Sequence, residues 1–403
     1  MWLNFLHIYQ PPTQKKEIFQ DIVCGYRELF SVLEKNKSAK VVLNICGCLT
    51  ERLAKEGGSD VIQTISSLVA RGQIELTATA AFHPILPLLP GQEILRQIEL
   101  NNRINAKYFG DLFRPQGFFA PEAAYDKKTL KIISDLGYRW IIADEISCFG
   151  RLDQLDFKKF YQIKNFDLIV YFASRKTSKT IAFTNPLSPL QFLKLISEKI
   201  GKEGFLITAL DGETFGHHHR NGRELLEVVY KTDIASVLPK ELQPEASVKI
   251  NFIPASWETH EEDLRQGIFF GLWQHPKNLI QQKLWQLTYE IIRVVRNQPK
   301  KFSAQKKLDR ALASCTFWWA SCFPWWHPEM IKEGMRLLMG AVEAINLQET
   351  PKIKEIKGLY LETIRLIDDW HTAKVSQKII ESYDRKILPQ LKKCSKNLTL
   401  RYN

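Results

Sequence analysis

Through residue 275 the apolar positions follow two habits: short unbroken runs rich in β-branched and aromatic residues, and longer stretches with apolar residues at helical spacing. The first marks strands buried on both faces and the second marks amphipathic helices, so the pattern predicts a parallel sheet with crossover helices. Strands are expected at 2–6, 40–45, 73–78, 140–143, 167–172, 205–210 and 248–253, with a short aromatic one at 115–120. Helices are expected at 21–34, 49–54, 61–70, 92–109, 127–136, 189–200 and 223–230. About seven or eight strands alternating with helices is the pattern of a closed parallel barrel, and the count does not choose between the two numbers. From residue 276 the strand habit stops, and 278–296, 308–321, 328–347, 355–369 and 374–388 all carry helical spacing. The expected organisation is an α/β barrel over 1–275 followed by an α-helical domain over 276–403.

In parallel α/β folds, reactive side chains gather at the carboxyl ends of the strands. The run from Phe205 stays apolar to Leu210 and then turns to Asp211, Gly212, Glu213 and, a little further on, His217, His218 and His219. A buried strand thus delivers an acid. The first strand ends in His7-Ile8-Tyr9-Gln10-Pro11-Pro12; the prolines stop it and leave His7, Tyr9 and Gln10 at the same edge. Glu75 interrupts the third apolar run, and His83 follows that run. A carboxylate there needs a partner, so Glu75 belongs either to a structural network or to the site. Glu122 follows Pro121 at a strand-to-helix corner, where it is aimed into a cleft or satisfies a helix N-terminus. Trp257 follows the last expected strand, and the helical part carries the pairs Trp318-Trp319 and Trp325-Trp326, either core or stacking surface for sugar rings. Two carboxylates in polar, aromatic-lined surroundings are the equipment of a retaining glycosidase. One acts as nucleophile; the other, about 5 to 5.5 Å away, protonates the leaving oxygen and then activates water.

Composition narrows the alternatives. A chain of 403 residues with 45% hydrophobic and 11% aromatic residues can bury a large core, which excludes bulk disorder. The formal net charge of +12 invites nucleic acid as a partner, but the Lys pairs 15–16, 158–159, 300–301, 306–307 and 392–393 are scattered, so a solvated basic surface is expected instead. Seven cysteines, an odd number, fit a reducing compartment. The start MWLNFLHIYQPP has no basic leader, and no apolar run reaches membrane-spanning length, so a soluble, cytoplasmic protein without a membrane partner is expected.

HIYQPP, GQIEL with HPILPLLP, FFAPEAAYD, ALDGETFG and SCTFWWAS resemble, in order and approximate spacing, the five conserved regions of glycoside hydrolase family 57, the α-amylase and 4-α-glucanotransferase family. SWETHEEDL and LWQHPKNLIQQKLW also resemble its amylase-type members, and the likeness runs from residue 3 to about 335. The resemblance implies an incomplete, TIM-like (β/α)7 barrel with a C-terminal helical domain. It further implies retaining chemistry on α-glucan or maltooligosaccharide without a cofactor or catalytic metal. By motif position Glu122 matches the family's nucleophile and Asp211 its acid/base, while His7, Gln10, Glu75, Glu213 and Trp318 match residues around the reacting sugar. Tyr9, His83, His217, Trp257 and Trp319 complete the expected substrate-binding set. Two positions depart from the pattern: Tyr9 stands where many members have a second His, and Cys315 stands where an acidic residue usually precedes the Trp by three.

Two other classes remain open on the sequence. His7, Asp211, His217 and His219 offer ligands for metal-dependent polysaccharide deacetylation, although no Asp-Asp pair follows the first strand and no HxxxH pair is present. The departures at Tyr9 and Cys315 are compatible with a catalytically silent glycan binder.

Overall fold

The computed structural model describes residues 1–376 except 185, 220, 243–246, 299–301 and 346–349. The chain divides into two compact units, Met1–Leu264 and Arg265–Asn403. Among the described residues of the first there are nine strands: β1 (Trp2–Ile8), β2 (Val41–Ile45), β3 (Ile74–Thr77), β4 (Gly117–Phe118), β5 (Trp140–Asp144), β6 (Phe160–Ile163), β7 (Ile169–Ala173), β8 (Leu206–Asp211) and β9 (Ser247–Ile250).

Parallel ladders join β3-β2-β1-β8 and β4-β5-β7. The two sheets meet at a parallel bridge between Ala78 and Phe118, where Ala78 N–H donates to Gly117 at 2.9 Å and Phe119 N–H to Ala78 at 3.0 Å. At the other seam, Ser174 N–H donates to the Ile207 carbonyl (2.9 Å) and Ala209 N–H to the Ser178 hydroxyl (3.1 Å). Seven strands therefore close the ring, as an incomplete (β/α)7 barrel requires. The expected eighth strand at 248–253 is not one of them. It becomes β9, solvent-exposed over Ser247–Lys249, paired with β6, which itself runs antiparallel to β7 and was not anticipated. The run VKINFI is apolar enough to read as a buried strand, but alternation alone does not say which sheet it joins.

Trp2–Ile8 and Val41–Ile45 are buried along their whole length because helices cover one face and the barrel interior the other. The outer layer is seated by apolar stripes such as Phe19, Ile22, Val23, Tyr26, Leu29, Phe30 and Leu33 of the helix Lys16–Lys35. At the middle of that helix, Gly25 meets Gly216 backbone to backbone; a Cβ on Gly25 would stand 2.1 Å from the Gly216 oxygen. In an exposed helix, Gly→Ala stabilises by about 1 kcal/mol. Here overpacking costs about 1–3 kcal/mol and reverses the sign. Gly25→Ala is therefore expected to lower the urea midpoint, and an unchanged or higher midpoint would refute the close approach.

The second unit, among its described residues, is helical: Leu279–Arg296, Phe302–Ala311, Cys315–Trp319, Pro328–Glu343 and Pro351–Thr372. The expected helix 308–321 is two helices broken at 312–314, where no Gly or Pro signals the break and both pieces bury apolar residues. The expected helix 374–388 lies, beyond residue 376, outside the described residues. Among the described residues no helix is long and apolar enough to cross a membrane.

Candidate active site

The register brings four strand ends into one layer: Asp211 pairs with His7, His7 with Asn44, and Asn44 with Thr77. Buried polar groups need partners, and here they bond sideways. Asn44 Nδ2 donates to Thr77 Oγ1 (2.7 Å), so Asn44 Oδ1 is the acceptor for His7 Nδ1–H (2.6 Å). His7 Nε2 then has a lone pair to accept His83 Nε2–H at 3.0 Å. Tyr9 stacks flat on His83, with ring centroids 4.0 Å apart and planes 9° from parallel. Both imidazoles are held neutral: burial lowers His7 to about 4 despite its Asn44 bond, and burial together with the neighbouring His7 lowers His83 well below the ordinary value.

Glu122 enters from the corner after β4. Its backbone is left-handed (φ 62°), as are those of Ala123 (φ 49°) and His83 (φ 58°), a conformation that costs a side-chain-bearing residue about 1–3 kcal/mol and recurs at functional sites. Trp257 holds it twice, N–H to the Glu122 carbonyl (3.1 Å) and indole N–H to Oε2 (2.7 Å), while His83 Nε2 lies 3.8 Å from Oε1. With both histidines neutral, neither offsets the burial of Glu122. Burial raises it to about 7, against the Trp257 bond and aided by repulsion from Glu258.

Asp211 ends β8 with an open face to solvent. It is raised well above the ordinary carboxylate range, first by loss of hydration in its recess, only partial given that open face, and then by repulsion from Glu213, Glu122 and Glu258. Glu122 and Asp211 are therefore electrostatic neighbours. Glu213, in the turn after β8, is buried; it accepts from Gln10 Nε2 (2.8 Å) and from the Tyr26 hydroxyl. Burial raises it too, and these donors pull it back.

Two other expected members, Glu75 and His217, stand elsewhere. Glu75 pairs with Val42, one layer below Thr77 toward the amino ends of the strands, and its Oε2 accepts from Lys240 N–H at 3.3 Å. Burial raises its proton affinity there. His217 pairs with Asp21 of the covering helix (3.2 Å), and His219 Nε2 donates to the Ile181 carbonyl (2.7 Å). The ligand set His7, Asp211, His217 and His219 is thus not assembled, and among the described residues no group of three His, Cys, Asp or Glu is arranged to hold a metal ion. Trp318 and Trp319 belong to the second unit, where they and Trp325 form a half-buried cluster with centroids 4.9 to 5.5 Å apart. Cys315 begins their short helix.

Sequence reading missed Tyr26, Asn44, Arg175, Lys179 and Glu258. The signal available for Arg175 was a strand-end cation, Ser174-Arg175 after β7, facing the strand-end acids Asp144-Glu145 after β5.

A ring of parallel strands that brings acids, imidazoles and an indole to its carboxyl edge is a (β/α)7 barrel of the glycoside hydrolase type. The chain belongs to glycosyl hydrolase family 57, whose family model matches residues 10–252. It is 26% identical over 196 residues to alpha-amylase 1 of Dictyoglomus thermophilum, covering 48% of this chain and 28% of that relative. It is 25% identical over 147 residues to the 4-alpha-glucanotransferase of Thermococcus litoralis, covering 36% of this chain and 22% of the relative. Each sequence match thus spans less than a third of the relative's length. Among solved structures, that Thermococcus litoralis enzyme superposes with a TM-score of 0.68 at 18% identity over 87% of this chain and 60% of the other. The GH57-type branching enzyme of Pyrococcus horikoshii gives 0.69 at 15% identity, over 89% and 94%. Both likenesses are likenesses of fold.

Proposed function

We propose that this chain is a retaining enzyme on α-1,4-glucosidic bonds, an α-amylase or 4-α-glucanotransferase, with Glu122 as nucleophile and Asp211 as acid/base. The observation that carries the reading is the meeting of two acids: Glu122, held by the Trp257 indole at 2.7 Å, and Asp211, pushed well above its ordinary range in part by the Glu122 charge. Neighbouring acids that repel one another resist ionising together, so Asp211 keeps its proton while Glu122 is ionised, the division of labour the reaction needs.

Glu122 attacks the anomeric carbon, the glucosidic bond breaks, and the Asp211 proton goes to the leaving oxygen. The new ester removes the Glu122 charge, which relieves one source of repulsion on Asp211 and prepares its carboxylate to act as base. Asp211 then takes a proton from the incoming oxygen, which attacks the anomeric carbon and releases Glu122. Water in that role gives hydrolysis; a sugar hydroxyl gives transfer. The Trp257 indole aims Glu122, and neutral His7 and His83 offer polar surface without adding positive charge.

Maltoheptaose incubated with the protein and resolved by chain length tests this. Shorter sugars alone are expected from an amylase and a ladder extending beyond seven units from a transferase. Unchanged maltoheptaose would overturn the proposal.

A further inference from the structure

Arg175 opens the helix Arg175–Phe183 directly after β7 and is 5% exposed. Its guanidinium forks onto Asp144 at the end of β5, Nε to Oδ2 at 2.8 Å and Nη2 to Oδ1 at 2.7 Å. The same group donates to the carbonyls of Thr259 (2.6 Å) and Ser256 (3.1 Å). Those carbonyls close a turn already stitched by Ser256 N–H to Thr259 Oγ1 (2.8 Å) and Thr259 N–H to Ser256 (3.1 Å). The two residues inside the turn are Trp257, which bonds Glu122, and Glu258, which pairs with Lys179 at 2.9 Å. Lys179 lies one helical turn beyond Arg175, so a single short helix grips both flanks of the turn.

We infer that Arg175 is a positioning residue for the nucleophile: fixed by Asp144, it clamps the Ser256–Thr259 turn and so holds the Trp257 indole on Glu122. This rests on the proposed role of Glu122. The effect is geometric, because Asp144 already neutralises the guanidinium, and only a planar fork reaches a carboxylate and two carbonyls together. A lysine in its place keeps the charge and loses the fork.

Displacing a reacting group by about 1 Å costs on the order of a hundredfold in rate. Arg175→Ala is expected to lower kcat on maltoheptaose about a hundredfold with KM within about threefold. Arg175→Lys is expected to lose at least about tenfold in kcat, and it carries the test if the alanine variant does not fold. In a Trp257→Phe background either change should cost less than about threefold more, since the path through the indole is already cut. Losses that multiply, or full kcat in Arg175→Lys, overturn the inference. Crystal structures of the wild type and the variants decide it independently of turnover. Loss of the 2.7 Å contact between Trp257 Nε1 and Glu122 supports the clamp, and an unmoved indole sinks it. Wild-type protein that leaves maltoheptaose intact would instead count against the proposed function, and the crystal comparison would still judge the clamp.

Discussion

Glu122→Gln is expected to lose turnover by at least about 10⁴-fold while folding normally, because an amide of the same shape cannot form the glycosyl ester. The variant should also be more stable than the wild type at neutral and higher pH. Glu122 is raised from 4.5 to about 7, so between those values the folded protein holds a proton the unfolded chain has released. Unfolding then releases protons, and stability falls as pH rises through that window. At about 1.4 kcal/mol per pH unit, the full cost above pH 7 is roughly 3 kcal/mol. Glutamine removes it. Calorimetry at pH 4 should give nearly equal melting temperatures for the two proteins, and at pH 8 a variant higher by a few degrees. Turnover within tenfold of wild type would take Glu122 out of the reaction, and equal melting temperatures at pH 8 would deny the cost of its burial.

Asp211→Asn is expected to show a loss that depends on the leaving group. On maltooligosaccharides, where the departing oxygen needs a proton, the rate should fall by about 10²–10⁴. With α-glucosyl fluoride, whose fluoride leaves without protonation, the first step should be far less affected, and the intermediate should wait for a base. Azide attacks without one, so adding it should restore turnover and yield glucosyl azide of retained configuration. Equal losses on both substrates, with no response to azide, would deny Asp211 the proton-transfer role.

Much of the fold is legible in the sequence. The seven ring strands are legible because burial on both faces leaves unbroken apolar runs, and Glu122 and Asp211 because each stands where such a run ends. Glu75 was harder to read. An acid inside an apolar strand announces a buried partner, but not which end of the barrel supplies it, and here the partner is the backbone of Lys240, 165 residues away. Arg175 and Lys179 look like a solvated basic helix start, SRKTSK, since ion pairing with Asp144 and Glu258 leaves no local periodicity. Glu258 is masked in the same way by the acidic run around it. Gly25 gives no sign that another backbone rests on it.

The ring is stitched unevenly. β8 is bound to β1 by six consecutive register pairs, but to β7 by one main-chain bond at Ser174 and a serine hydroxyl. Among the described residues the seam between β3 and β4 is laced as thinly, by the two main-chain bonds at Ala78, so Asp211 and Glu122 stand on two sheets joined only at narrow seams. The distance between the two acids is therefore set by bonds at two places in the ring rather than by one continuous ladder.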